Sequence, residues 1–113
     1  WNVRDSDGTL IICHGRPTGG TAWTALCAKS LKKPLYIAAT PRMRSAAKVR
    51  AWLAAERIRT LNVAGPRASD WPEGYERAYR LLAAVLDTPE DLLVSTMKGV
   101  LCQHDMFPRK KET

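Results

Sequence analysis

The chain has 113 residues, enough for a single domain, and 45% of them are hydrophobic, as in globular proteins with one core. It carries 18 basic and 11 acidic residues, a net charge of +7 that is dispersed except at Arg109, Lys110 and Lys111. The charge favours anionic partners, but its dispersal does not indicate a specific nucleic-acid partner. No segment has the roughly 20 apolar residues of a membrane span, and no signal peptide is recognisable. We therefore expect a cytoplasmic protein with no membrane partner.

Three short apolar runs predict strands that are covered on both faces of a sheet. They are residues 9–13, 35–39 and 58–64. The helical spacing of apolar residues predicts three helices, the second with Thr40 as its N-cap and Pro41 as its first residue. These helices cover residues 21–31, about 41–56 and 75–86. The alternation predicts right-handed crossovers and a Rossmann-like α/β unit of three layers with a mainly parallel sheet.

The expected domain limits follow from where this alternation ends. Residues 1–88 are expected to form the Rossmann-like domain and residues 89–113 a C-terminal extension, with a short helix through Val100 and then a disordered tail. Three strands make a thin sheet with open edges, so we expect further strands from a missing segment or from another subunit. A homo-oligomer with Trp52 or Tyr79 in its interface is the corresponding prediction.

A glycine-rich turn between the first strand and the first helix is the leading candidate binding site. Unpaired backbone N–H groups and the helix dipole attract phosphate there, and glycine lets the backbone approach an anion closely. Arginine adds a fixed charge and threonine a hydroxyl donor. The predicted phosphate-binding residues of this turn are Gly15, Arg16, Thr18, Gly19, Gly20 and Thr21. A tight turn with a threonine cap and no ligand is the alternative.

A second turn follows the third strand, and its predicted binding residues are Asn62, Gly65, Pro66, Arg67 and Ser69. In open parallel sheets, ligands lie beyond the carboxyl ends of the strands. The two turns are therefore expected to lie together on the side of the sheet where the strands have their carboxyl ends. The alternative is that Gly65 and Pro66 merely end the strand and Ser69 caps a helix.

Catalytic and metal-binding groups are harder to identify. Asp5 and Asp7 precede the first strand as candidate bases or metal ligands, although closely spaced acids in a loop are more often solvated. His14 is a candidate phosphate or metal ligand, and a polar turn residue is the simpler interpretation. Cys102 and His104 are capable of binding a metal, but no second pair has the spacing of a zinc site. We expect no metal site and assign no catalytic residue.

Three segments together resemble the molybdenum-cofactor carrier family in order and spacing. They are residues 1–11, 18–21 and 61–69, which read WNVRDSDGTLI, TGGT and LNVAGPRAS. That family belongs to a Rossmann-like superfamily with the lysine-decarboxylase-like and Lonely-guy nucleotide phosphoribohydrolases. The resemblance covers residues 1–86 and implies binding of a phosphorylated pterin, such as molybdenum cofactor, or of a nucleotide at the glycine turns. On this hypothesis Asn2, Arg4 or Asp7 lies near the polar rim of the ligand.

The chain departs from the family pattern in two places. Family members usually carry another strand, a glycine-rich turn and a helix before the tryptophan that corresponds to Trp1. We therefore expect a fold that lacks this N-terminal part. The chain is then either truncated or has an incomplete site. The phosphoribohydrolase relatives have a catalytic glutamate three residues after the threonine of their Gly-Thr motif, where this chain has Thr24. This difference implies holding a ligand rather than cleaving it.

The leading hypothesis is therefore a non-catalytic carrier of a phosphorylated small molecule. Two alternatives remain open from the sequence. One is a nucleotide phosphoribohydrolase that uses Asp5 or Asp7 as its carboxylate, and the other is a ligand-free assembly module.

Overall fold

The computed structural model describes residues 2–39, 45–66, 71–86 and 100–102. The strands in chain order are β1 (Gly8–Cys13), β2 (Leu35–Ala39), β3 (Leu61–Ala64) and β4 (Val100–Cys102). The helices are α1 (Asn2–Asp5), α2 (Gly19–Ser30), α3 (Ser45–Ala55) and α4 (Gly74–Leu86). Among the helices described, none is both long enough and apolar enough to cross a membrane.

The four strands form one parallel sheet in the order β2-β1-β3-β4. Ile11 in β1 is aligned with Ile37 of β2 on one side and with Ala64 of β3 on the other. The chain therefore moves from β1 to β2, crosses back over β1 to reach β3, and continues outward to β4. The predicted α/β class with a parallel sheet and Rossmann-like layers is confirmed.

β1 lies at the centre of the core, and all six of its residues are buried. Because successive side chains of a strand point to opposite faces, its residues divide between two clusters. Leu10 and Ile12 pack with residues of α3 and α4, whereas Ile11 and Cys13 pack with Ala25 of α2. α2 therefore lies on one face of the sheet, and α3 and α4 lie on the other. Right-handed crossovers place the helices in this way when the chain adds β2 on one side of β1 and β3 on the other.

Long-range polar contacts fix the helices to one another and to the sheet. The Arg50 side chain of α3 donates from Nε to the carbonyl oxygen of Val85 in α4, at 3.1 Å. Between α2 and β2, Lys33 Nζ donates to the carbonyl oxygens of Arg4 and Ser6, the latter at 2.7 Å. These contacts place a cation on the last carbonyl groups of α4 and α1, where the helix dipole favours positive charge.

Two elements differ from those that the sequence predicts. α1 was not predicted, and β3 begins at Leu61 rather than Ile58 because the backbone N–H groups of Arg59 and Thr60 donate to the side chain of Asp7 instead of to a strand. β4 was not predicted either, and Val100 begins this strand rather than ending a helix. The fourth strand thus comes from the C-terminal part of the chain itself.

Several predictions fall on residues outside the described ranges. They are the helix start at Thr40 and Pro41, most of the helix predicted after Pro89, and the disordered tail.

Candidate functional site

The two glycine turns lie at the same edge of the sheet, at the carboxyl ends of the neighbouring strands β1 and β3. The first turn, residues 14–18, leads from β1 into α2, and the second begins with Gly65 and Pro66 directly after β3. β2 lies on one side of β1, and β3 lies on the other. The order in which the chain adds strands to the sheet therefore reverses between β1 and β3. Such a reversal opens a crevice beyond the strand ends, where ligands bind in open α/β sheets.

The backbone of the first turn requires glycine at two positions. Gly15 has a φ of +73° and Gly19 a φ of +53°, the left-handed region that a side chain disfavours. A Cβ at either position would meet no atom within 4 Å, so conformation rather than packing explains these glycines. Cys13 stabilises the turn, because its buried thiol donates a hydrogen bond to the carbonyl oxygen of Gly15 at 3.3 Å. Burial raises the pKa of this thiol, which keeps it protonated as the donor.

The start of α2 has the electrostatics of an anion site. The N-cap residue Thr18 makes no side-chain capping bond, and its carbonyl oxygen accepts from the N–H groups of Thr21 and Ala22. Within the described part of the chain, the N–H groups of Gly19 and Gly20 have no acceptor, and both glycines are exposed. No acidic residue lies in the first turn of α2 to offset the helix dipole. This arrangement suits a phosphate oxygen.

The side chains around this helix start are not equally accessible. Arg16 and Thr18 are exposed, so a guanidinium and a hydroxyl can reach a bound anion. Thr21 is buried, so its hydroxyl is less accessible to a ligand than that of Thr18. Thr24 is buried as well, and its hydroxyl donates to the carbonyl oxygen of Gly20 at 3.0 Å. The residue that stands in place of the hydrolases' glutamate therefore supports the helix backbone.

The second turn is only partly described. Gly65 is buried and Pro66 is half-buried at the end of β3, whereas the predicted ligands Arg67 and Ser69 lie outside the described residues. Asn62, which the sequence also placed at the ligand, is fully buried within the sheet. Its Nδ2 donates to Thr9 Oγ1 at 3.3 Å, a contact near the opposite end of β1. The structure thus separates Asn62 from the glycine turns.

The three residues predicted at the polar rim belong to the segment that precedes β1. Arg4 and Asp7 lie at the amino end of β1, which spans about 17 Å from Gly8 to Cys13 at roughly 3.3 Å per residue. The glycine turn follows the carboxyl end of the same strand. The side chain of Asn2 lies outside the described part. The structure therefore does not bring Arg4 and Asp7 together with the crevice.

The acidic residues of this segment have other partners. Asp7 Oδ2 accepts from the backbone N–H of Thr60 at 2.8 Å and of Arg59 at 2.9 Å, and these two hydrogen bonds lower the pKa of Asp7. Asp5 pairs with Arg4 at 3.2 Å, and that hydrogen bond lowers the pKa of Asp5. Asp7 joins the start of β1 to the turn before β3. Both acids are too far from the first turn to act on a ligand held there.

The structure also reveals a ring pair at the crevice that sequence reasoning missed. The imidazole of His14 contacts the indole of Trp71 in a tilted arrangement, with ring centroids 5.9 Å apart and planes inclined at 31°. Trp71 is only 8% exposed, whereas His14 is exposed. The two residues are 57 positions apart, so no local pattern signals the contact. Among the described residues, no group of three or more potential ligands is placed to hold a metal ion.

Comparisons with known proteins give two matches. The model of the circularly permuted YpsA SLOG family matches residues 1–86. A crystal structure of a protein named "Putative molybdenum carrier protein", from Syntrophus aciditrophicus, is 42% identical with a TM-score of 0.73. The match covers 75% of this chain and 56% of that one, so this chain spans little more than half the length of its relative. No curated protein matches.

Proposed function

Because the chain belongs to the circularly permuted YpsA SLOG family, we propose that it binds and carries a phosphorylated small molecule, with the pterin phosphate of molybdenum cofactor as its cargo. The name of the relative from Syntrophus aciditrophicus supports this choice of cargo. The proposed site is the crevice between the carboxyl ends of β1 and β3. The cofactor is here the substance carried rather than a group that performs chemistry.

One observation carries the proposal, namely the open start of α2. The N–H groups of Gly19 and Gly20 have no acceptor among the described residues, and no acidic side chain follows them in the first helical turn. A dianionic phosphate satisfies both donors and interacts favourably with the helix dipole. Exposed Arg16 adds a charge-assisted hydrogen bond. These residues therefore fit the phosphate end of the proposed cargo.

The positions of the acidic residues favour holding the ligand over cleaving it. Asp5 and Asp7 lie at the opposite edge of the sheet, and the Thr24 hydroxyl is bonded to the helix backbone. Within residues 14–18, 65–66 and 71–74, Glu73 is the one acidic residue, and its carboxylate lies 3.8 Å from Arg77. A hydrolase would need a carboxylate at the ribose to assist the departing base. Glu73 is thus the residue through which an enzymatic alternative is testable.

The proposal is tested by adding negative charge at the phosphate site. In titration calorimetry with neopterin monophosphate, Gly20→Asp is expected to weaken binding by about tenfold or more, equivalent to about 1.4 kcal/mol, because the carboxylate occupies and repels the anion site. An aspartate in the first turn stabilises a helix, so the variant is expected to fold. Gly20→Ala is the matched control, since it adds a Cβ without charge and is expected to bind like the wild type.

Equal affinity of the aspartate and alanine variants would overturn the phosphate site. Release of free base from guanosine 5′-monophosphate, abolished by Glu73→Gln, would replace the carrier with an enzyme. If native mass spectrometry finds no copurified ligand and no phosphorylated probe binds, the assembly-module alternative is the better account.

A further inference from the structure

The pair formed by His14 and Trp71 stands at the crevice, and the anion site does not account for it. His14 is the first residue after β1 and the first residue of the glycine turn, so the ring and the phosphate-binding N–H groups belong to one connection. Trp71 lies before α4, on the connection that follows β3. The ring contact therefore bridges the two loops that border the crevice.

The indole of Trp71 packs in the core and contacts the imidazole of His14. It belongs to the buried core cluster with residues of α3 and α4. A Cβ on Gly74 would lie 2.5 Å from the indole ring, so the ring occupies the space that a side chain would take at the start of α4. The carbonyl oxygen of Trp71 also accepts from the N–H of Gly74 at 2.9 Å. Core packing and this hydrogen bond thus limit the movement of the indole beside His14.

From this geometry we propose that His14 is the platform on which the planar heteroaromatic ring of the ligand stacks, backed by Trp71. This inference rests on the proposed function and adds to it the residue that contacts the ring: the site takes a phosphate attached to a flat aromatic ring, and a sugar phosphate lacks the part of the ligand that His14 holds. Histidine and tryptophan rings are among the side chains on which nucleobases stack, and such stacking tolerates any base with a π-face. A pterin and a guanine share that chemistry.

The test compares ligands with and without the ring. Neopterin monophosphate and guanosine 5′-monophosphate carry a ring and a phosphate, and ribose 5-phosphate carries the phosphate alone. By calorimetry, His14→Ala is expected to weaken binding of the two ring-bearing probes by about tenfold, from the range known for loss of one stacking contact. Binding of ribose 5-phosphate is expected to stay within about twofold of the wild type. A greater loss for one ring-bearing probe identifies the ring that the platform accepts.

Two further variants control for folding. His14→Phe keeps an aromatic ring over Trp71 and is expected to restore binding of the ring-bearing probes. Ala54→Ser changes an exposed side chain of α3 and is expected to change none of the affinities. If His14→Ala weakens ribose 5-phosphate as much as the ring-bearing probes, His14 acts on the phosphate and the platform is wrong. Equal binding of all three probes by the wild type would contradict the role of His14 as a platform but not the proposed function. Failure of the wild type to bind any of the three probes would overturn the proposed function as well.

Discussion

Asp7 shows how a single residue can be conspicuous in the sequence and yet have a structural role. Its carboxylate accepts two backbone N–H groups from the turn before β3, and its own N–H donates to the carbonyl oxygen of Thr60 at 2.8 Å. The strand register depends on this turn, since β3 begins at Leu61. A carboxylate that accepts backbone hydrogen bonds favours its charged form, which is why its pKa is lowered.

This lowered pKa predicts how stability responds to acid. The folded-state pKa lies below the unfolded value of about 3.9, so the contribution of Asp7 is fully present above that value and is lost as the pH falls through the folded-state pKa. Asp7→Asn is expected to be less stable than the wild type near neutral pH and to lose less stability between about pH 5 and pH 3. Urea unfolding across this range measures both effects, with Glu56→Gln, which removes one exposed carboxylate of the turn after α3, as the control. Parallel pH profiles for the wild type and Asp7→Asn would contradict the role assigned to Asp7.

At the scale of the element, the ends of α2 and α3 share an unusual feature. In each case the second residue after the helix has a positive φ without being glycine: Lys32 at +55° and Arg57 at +53°. Both helices nevertheless close in the same way, since Lys33 N–H bonds the carbonyl oxygen of Ala28 and Ile58 N–H bonds that of Leu53, each at 3.0 Å. This closure normally uses glycine, because a Cβ disfavours the left-handed conformation.

Replacing the left-handed residue with glycine is therefore expected to stabilise the chain. Arg57→Gly should raise the free energy of unfolding by about 1 kcal/mol, the approximate cost of a left-handed conformation for a residue with a Cβ. Arg57→Ala removes the same charge but keeps the Cβ, so it is expected to give no such gain. Thermal and urea unfolding measure the free energy of unfolding of the two variants. Equal stability of the glycine and alanine variants would show that the conformation costs nothing here.

At the scale of the whole molecule, the two faces of the sheet are covered differently. Trp52 and Tyr79, expected at an oligomer interface, pack against the core cluster, and the Trp52 ring lies 5.6 Å from that of Tyr36. The exposed large apolar side chains lie instead on the α2 side. They are Trp23, Leu26, Leu31 and Ile37, and Trp23 is 65% exposed. We propose that this chain forms a homo-oligomer through the α2 side.

The corresponding prediction concerns Trp23. Trp23→Glu is expected to shift the chain toward the monomer, because a charge in an apolar interface is desolvated without a partner. Ala54→Glu makes the same change of charge at an exposed position of α3 and is the control. Sedimentation velocity at micromolar concentration measures the species present. A wild type that is monomeric under these conditions would contradict the proposed association.

Local features explain what the sequence by itself determined. The α/β class, the bounds of β2, the presence of α4 and the position of the glycine turn after β1 all follow from apolar spacing and from glycine's freedom at positive φ. Each of these properties depends on residues within one strand, helix or turn, so the relevant physics acts over a few neighbouring positions. The family resemblance was visible for the same reason, because three short segments carried it.

Only the tertiary structure decided which of these parts meet. It placed Asp7 at the edge of the sheet opposite the glycine turn, buried Asn62 against Thr9, and brought Trp71 to His14. It also added β4 beside β3. These contacts join residues more than 30 positions apart, and they depend on strand order and register, which arise from the packing of the whole core rather than from the preferences of any one segment.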